Sequence, residues 1–158
     1  MLSDDITYCS RKYADKIKRN TDLLLQQFGI TYFTFQKVTN NGEWGLITGI
    51  PEWHAYSVDN LYYNYDPTLV HPENYKSGTC FTSSHSDKNA QVVLHDALTI
   101  FNLDNCLAII EKNATGCEFA FFGTFPENKQ IINAYVNKLH KLRAFVSFFK
   151  IALFRDSF

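Results

Sequence analysis

Ile30-Thr31-Tyr32-Phe33-Thr34-Phe35-Gln36-Lys37-Val38 is the stretch on which the fold turns. Aromatic and β-branched residues crowd it as they do a pleated strand. Asn40-Asn41-Gly42 comes next, and Asn and Gly tolerate the positive φ that a tight reversal needs. Trp44 to Gly49 then returns as a second strand, which makes a hairpin. The same pattern recurs downstream. Leu103 to Glu111 and Cys117 to Gly123 read as strands joined by Asn113-Ala114-Thr115-Gly116. Two hairpins join into one antiparallel sheet, with a short further strand expected at Cys80-Phe81-Thr82.

The segments between the hairpins read as helices. Ile6, Tyr13, Ile17, Leu24 and Phe28 recur near helical spacing over residues 5 to 28, and Gly29 ends the run. Pro51 suits a first helical turn and opens a helix to about Asn64, which Asp66-Pro67 stops. Residues 67 to 79 read as a loop. Ser86 or Asp87 is placed to cap a helix over roughly 88 to 102. Pro126 starts a long helix to about Phe154. The expectation is an α+β fold, a central antiparallel sheet flanked by helices with a long C-terminal helix. This order of elements resembles PAS- and GAF-like sensor domains, which hold ligands between sheet and helices.

A chain of 158 residues suits one domain, read here as 1–158, and buries roughly 70% of its unfolded surface. Its aromatic content is high, with 14 Phe, 9 Tyr and 2 Trp. Aromatics fill cores, but they also line ligand pockets. The net charge of −1 gives no basic face for phosphates, so nucleic acid is not an expected partner of this chain itself. Lys12, Lys16, Lys18 and Arg19 read as a solvated helix face. No charged leader precedes an apolar run, and no stretch approaches the ~20 apolar residues of a membrane span. A cytoplasmic protein without a membrane partner is expected.

Catalytic and metal chemistry find little footing. Cys9, Cys80, Cys106 and Cys117 form no CxxC pair and read as reduced thiols in or near the core. His71, His85, His95 and His140 lack metal-ligand spacing. Cys80, Ser83, Ser84, His85 and Asp87 sit too close in sequence to be oriented as a triad by separate elements. No glycine-rich phosphate loop is present. The chain reads as a non-enzyme with no cofactor and no metal.

Pro51-Glu52-Trp53-His54-Ala55-Tyr56-Ser57-Val58-Asp59-Asn60-Leu61-Tyr62-Tyr63-Asn64-Tyr65-Asp66-Pro67 carries the most functional information. It resembles the signature of the autoinducer-binding domain of LuxR-type quorum-sensing regulators. That family has a Pro, a Trp soon after on a helix, a run of Tyr, and an Asp-Pro thirteen residues past the Trp. Trp53 and Asp66 keep that spacing, and Phe81 falls where the family places another large aromatic. The resemblance implies that Trp53 donates its indole N–H to the lactone carbonyl of an acyl-homoserine lactone, that Asp66 accepts the ligand's amide N–H, and that Phe81 walls the pocket. Tyr56, Tyr62, Tyr63, Phe33 and Phe35 are further candidate wall residues. Either Tyr32 or the Phe33/Phe35 pair faces the helices. The chain departs from the family at Ser57 and Gly49, where tyrosines are usual.

The resemblance also implies that DNA is reached only through a helix-turn-helix, which this chain lacks. In the last helix Ile132, Leu139, Val146 and Leu153 recur every seven residues, with Tyr135, Leu142 and Phe149 between them. That stripe suits helix-on-helix packing and equally packing onto the chain's own sheet; its width, with Phe145 and Phe148 beside it, suggests both uses, and a homodimer through it is expected. The alternative is a protein-interaction module whose aromatics fill its core and leave no room for a ligand.

Overall fold

The computed structural model describes Asp15, residues 18–19, 22–24 and 26–82, and residues 88–155, the last three by backbone alone. Strands β1 (Tyr32–Thr39), β2 (Trp44–Thr48), β3 (Gly78–Phe81), β4 (Asp104–Asn113) and β5 (Gly116–Thr124) form one sheet in the order β2-β1-β5-β4-β3. Every pairing is antiparallel, with Phe35 opposite Ile47, Phe33 opposite Phe122, Ile109 opposite Ala120, and Cys80 opposite Ala108. Helices α1 (Pro51–Asp59), α2 (Pro67–Val70), α3 (Lys88–Phe101) and α4 (Ile131–Arg155) complete the described fold, with 3-10 turns at Tyr62–Asn64 and Pro72–Asn74.

Both hairpins form as the turn chemistry dictates. Gly42 adopts φ 80° at the first reversal, a conformation that costs a residue without Cβ nothing. In the second, Asn113 Oδ1 accepts from the backbone N–H groups of Thr115 and Gly116 at 2.9 and 3.1 Å. The N-terminal helix expected over residues 5 to 28 is helical at its described positions, through Phe28, and Gly29 closes it at φ 72°. Residues 5 to 14, Cys9 and the capping pair Ser86 and Asp87 lie outside the described residues, as do Ser83, Ser84 and His85.

Three features differ from the sequence reading by more than two residues, each for a local reason. The helix from Pro51 stops at Asp59 because Leu61 turns left-handed, φ 57°, and a separate 3-10 turn carries Tyr62 and Tyr63. The expected loop after Asp66 holds α2, where Asp66 caps the helix and Pro67 occupies its first turn. The last helix begins at Ile131 and not at Pro126. Turn bonds from Asn128 N to Phe125 O and from Ile131 N to Asn128 O occupy the intervening residues.

Because side chains alternate along a strand, the sheet has two distinct faces. Phe33 and Phe35 on β1, Ile47 on β2, Leu107 and Ile109 on β4, and Phe122 on β5 pack against Ile131, Tyr135, Leu142, Val146 and Phe149 of α4. Phe33 is the hub of this layer, its ring centroid 5.1 Å from those of Phe122, Phe145 and Phe149. Burying one such side chain is worth about 1.5–3 kcal/mol. Tyr135, Leu142, Val146 and Phe149 are thus committed to the chain's own sheet. Lys150 ties α4 to the sheet polar-wise, with Nζ 2.8 Å from Glu111 Oε2 and 2.5 Å from Glu118 Oε2. On the opposite face Val38, Trp44, Ala108, Ile110, Cys117 and Phe119 form a smaller cluster toward one end. Beyond that cluster the face is roofed by α1, α2 and α3, and the roof does not fill the space beneath it.

Candidate ligand-binding cavity

A cavity of about 170 Å³ lies between this second sheet face and the helices above it. A dry apolar cavity of roughly 150 Å³ already admits a benzene ring. The floor comes from alternate strand positions: Tyr32, Thr34 and Gln36 on β1, Leu46 and Thr48 on β2, Cys106 on β4 and Phe121 on β5. The roof comes from Trp53, His54, Ser57 and Val58 of α1, then Tyr62, Tyr63 and Asp66, then Val93, Leu94 and Ala97 of α3. The described lining contains one carboxylate, one imidazole and no lysine or arginine. An anionic ligand would find no cation to pair with among the described lining residues, and their mix suits an uncharged molecule with both polar and apolar parts.

The roof is held by an aromatic cluster. Trp53 stacks on Tyr56 at 6.2 Å and meets Phe101 edge-on at 5.2 Å and Tyr62 at 6.2 Å. Tyr56 Oη donates to Asp96 Oδ2 at 3.1 Å, and Tyr62 Oη donates to the same oxygen. Asp96 therefore clasps α3 to α1 and the following turn. Burial, reinforced by the bonds to Asp96, pushes the Tyr62 phenol above its ordinary range, so it stays a neutral donor. Ser57 Oγ donates to the Trp53 carbonyl at 2.8 Å, while the indole N–H has no partner among the described residues.

Asp66 is placed by a relay. Its Oδ1 accepts from Thr68 N at 2.9 Å and from Thr68 Oγ1 at 2.6 Å, which caps α2. Gln36 Nε2 donates to Thr68 Oγ1 at 2.8 Å. His54 sits beside Trp53, and burial lowers its pKa, keeping the ring neutral at physiological pH. Tyr32 reaches the cavity because Gly123 stands opposite it on β5. A Cβ at Gly123 would come within 1.9 Å of the Tyr32 ring.

The structure brings four of the eight sequence-predicted residues to the cavity wall: Trp53, Asp66, Tyr62 and Tyr63. The other four lie elsewhere. Phe33 and Phe35 share the odd positions of β1 and face α4, which leaves Tyr32 on the cavity side. Phe81 falls on the same outer face by the same alternation. It is 41% exposed, with its ring 6.3 Å from Tyr135, while its neighbour Thr82 reaches the cavity. Tyr56 backs Trp53 from outside the cavity lining. Gln36, Thr34, Thr48, His54 and Thr68 line the cavity as well, beyond the residues the sequence points to. Their signal is present in part, since Thr34 and Gln36 are polar at alternate positions of β1 and so share one face.

Solved structures share this architecture. An N-acylhomoserine lactone-dependent LuxR family transcription factor, CepR2 from Burkholderia cenocepacia, superposes with TM-score 0.59 at 12% identity, covering 82% of this chain and 80% of that one. The chain has the fold of the LuxR-type signal-binding domain. SdiA from Escherichia coli matches with TM-score 0.56 at 19% identity over 73% of this chain. SdiA in complex with octanoyl-rac-glycerol matches with TM-score 0.62 at 17% identity over 98% of it. The chain spans 50% and 68% of the two SdiA chains. No family model matches the sequence, and no curated protein does. Among the described residues no helix is long and apolar enough to cross a membrane, and no three His, Cys, Asp or Glu side chains gather to hold a metal.

Proposed function

We propose that this domain is a cytoplasmic sensor that binds an uncharged, acyl-chain-bearing small molecule in the cavity beneath α1 and α3. The observation that carries this reading is the cavity itself, walled by Trp53 and Asp66 on the fold that LuxR-type signal-binding domains use. Trp53 supplies an indole N–H, a donor only, to a ligand carbonyl. Asp66, steadied by Thr68, accepts from a ligand N–H or O–H. Tyr62 and Tyr63 wall the head group, and the apolar run of Val93, Leu94 and Ala97 takes the chain. The alternative of a filled, ligand-free core does not account for the open space.

The domain works by stabilisation and not by catalysis in this reading, with a homodimer through α4 as the assembled form and transcription control as its output. A ligand that binds only the folded state adds about 2.7 kcal/mol at a hundredfold excess over its Kd. Titration calorimetry with N-octanoyl homoserine lactone and with octanoyl-glycerol, paired with thermal melts, tests it. Saturable heat and a melting point that rises with ligand concentration are expected. No heat and no shift with either compound at millimolar concentration would defeat the proposal.

A further inference from the structure

The relay that steadies Asp66 fixes more than the carboxylate. An ionised carboxylate only accepts, and a threonine hydroxyl has one proton. The 2.6 Å contact to Asp66 Oδ1 uses that proton, so Thr68 Oγ1 must accept from Gln36. The Gln36 amide is thereby oriented by hydrogen-bond logic, with its NH2 toward Thr68 and its carbonyl oxygen turned away. That oxygen bonds to no described residue. Buried side-chain oxygens and nitrogens without a hydrogen bond are Thr31 Oγ1, His54 Nδ1 and Glu118 Oε2 among the described residues, the last facing the Lys150 ammonium. Gln36 Oε1 is not one of these. Gln36 as a whole is only 4% exposed and lines the cavity. With the amide nitrogen committed to Thr68, the oxygen is the polar atom that this cavity-lining side chain has left to offer a ligand.

We propose that Gln36 is a specificity-determining ligand contact whose carbonyl oxygen, beside Asp66, selects a head group with a second hydrogen-bond donor. This rests on the sensor reading and deepens it. The amide N–H of an acyl-homoserine lactone satisfies one acceptor at this wall and leaves the Gln36 oxygen unmatched. An acyl ester of a polyol brings two hydroxyl donors and matches both. A site built to hydrogen-bond a hydroxyl discriminates strongly against the analogue that lacks it, because its own buried polar group is left without a partner.

The test measures Kd by calorimetry for octanoyl-glycerol, for its di-O-methyl ether, which keeps every oxygen and loses both donors, and for N-octanoyl homoserine lactone. Wild-type protein is expected to bind octanoyl-glycerol about tenfold more tightly than either of the others. Gln36→Met is expected to remove that preference: it also takes the Gln36 donor from Thr68, so any loss through Asp66 is shared, and octanoyl-glycerol should weaken about tenfold more than the other two. Equal weakening of all three would assign Gln36 a structural role only and overturn the proposal. If Gln36→Met does not fold, as a melt without ligand reveals, the wild-type comparison decides. Equal affinity for octanoyl-glycerol and its ether overturns the proposal while leaving the sensor reading intact. Failure of wild-type protein to bind any of the three defeats the sensor reading itself, and the proposal with it.

Discussion

Trp53 is fixed before any ligand arrives. Its ring is wedged among Tyr56, Tyr62 and Phe101, and Asp96 anchors both tyrosines. Rigid placement lowers the ordering cost of binding, because the donor is already where the ligand needs it. Trp53→Phe separates this donor role from simple packing. It removes the N–H and keeps an aromatic ring, so acyl-ligand affinity should fall about tenfold. The change in stability should stay below about 1.5 kcal/mol. Calorimetry and a urea melt of the same variant check the two halves. His54 makes a second residue-level prediction. In the unfolded chain its imidazole titrates near 6.5, and burial lowers that value in the folded protein. Between the two values the unfolded state binds the extra proton, so stability falls as pH drops below about 6.5 and is indifferent to His54 above it. A series of melts from pH 7.5 to 5 should show this slope in the wild type and a shallower one in His54→Phe. Parallel slopes would mean that the imidazole is not desolvated on folding.

At the scale of elements, strand parity decides which side chains meet the cavity. Tyr32 crosses to the cavity side of the sheet, and Gly123 opposite it leaves room for the ring. Gly123→Ala drives a methyl into that ring, so Tyr32 must rotate or the strands must part. Overpacking of this kind costs about 1–3 kcal/mol. The loss should appear in a denaturant midpoint, together with weaker ligand binding, since the displaced ring borders the site. The strands themselves were legible because aromatic and β-branched runs, Asn-Gly turns and the glycine after Phe28 are local signals. What was not legible was phase. Sequence left open which side of β1 faced which helices, so Phe33, Phe35 and Phe81 were expected in a pocket that the structure builds from Tyr32, Thr34, Gln36 and Thr82. Helix α2 is not legible in the sequence for a related reason. Four residues are too few to show a period, and its identity rests on the Asp66 cap and Pro67. Trp53 and Asp66 enter through the resemblance to the LuxR-type signature, whereas Gln36 and Thr68 enter only through a bond between residues thirty-two positions apart.

For the whole molecule, α4 is the element whose two sides do different things. Its inner side, with Tyr135, Leu142, Val146 and Phe149, is spent on the sheet. Of the two uses that the sequence suggests for the heptad seam, packing on the chain's own sheet occupies most of it. The outer side still exposes two apolar pairs, Ile132 with Val136 near the start and Phe148 with Ile151 near the end. Val136 is 68% and Phe148 63% exposed. Surfaces of this character mark interfaces when they are contiguous enough to be covered, and these pairs are where the proposed homodimer would have to close. The double change Val136→Glu and Phe148→Glu touches neither the sheet core nor the cavity. Its effect on melting at low concentration should be within about 0.5 kcal/mol per site, as for other surface positions. Light scattering of the wild type should report a particle of twice the 18.3 kDa chain mass, and the double variant should report a single chain. Ligand affinity per site should survive in the variant, because the cavity is built within one chain. A wild type that remains at one chain mass at high concentration, with and without octanoyl-glycerol, would assign the exposed pairs to something other than self-association. The ligand's stabilising free energy would then act only on the single domain.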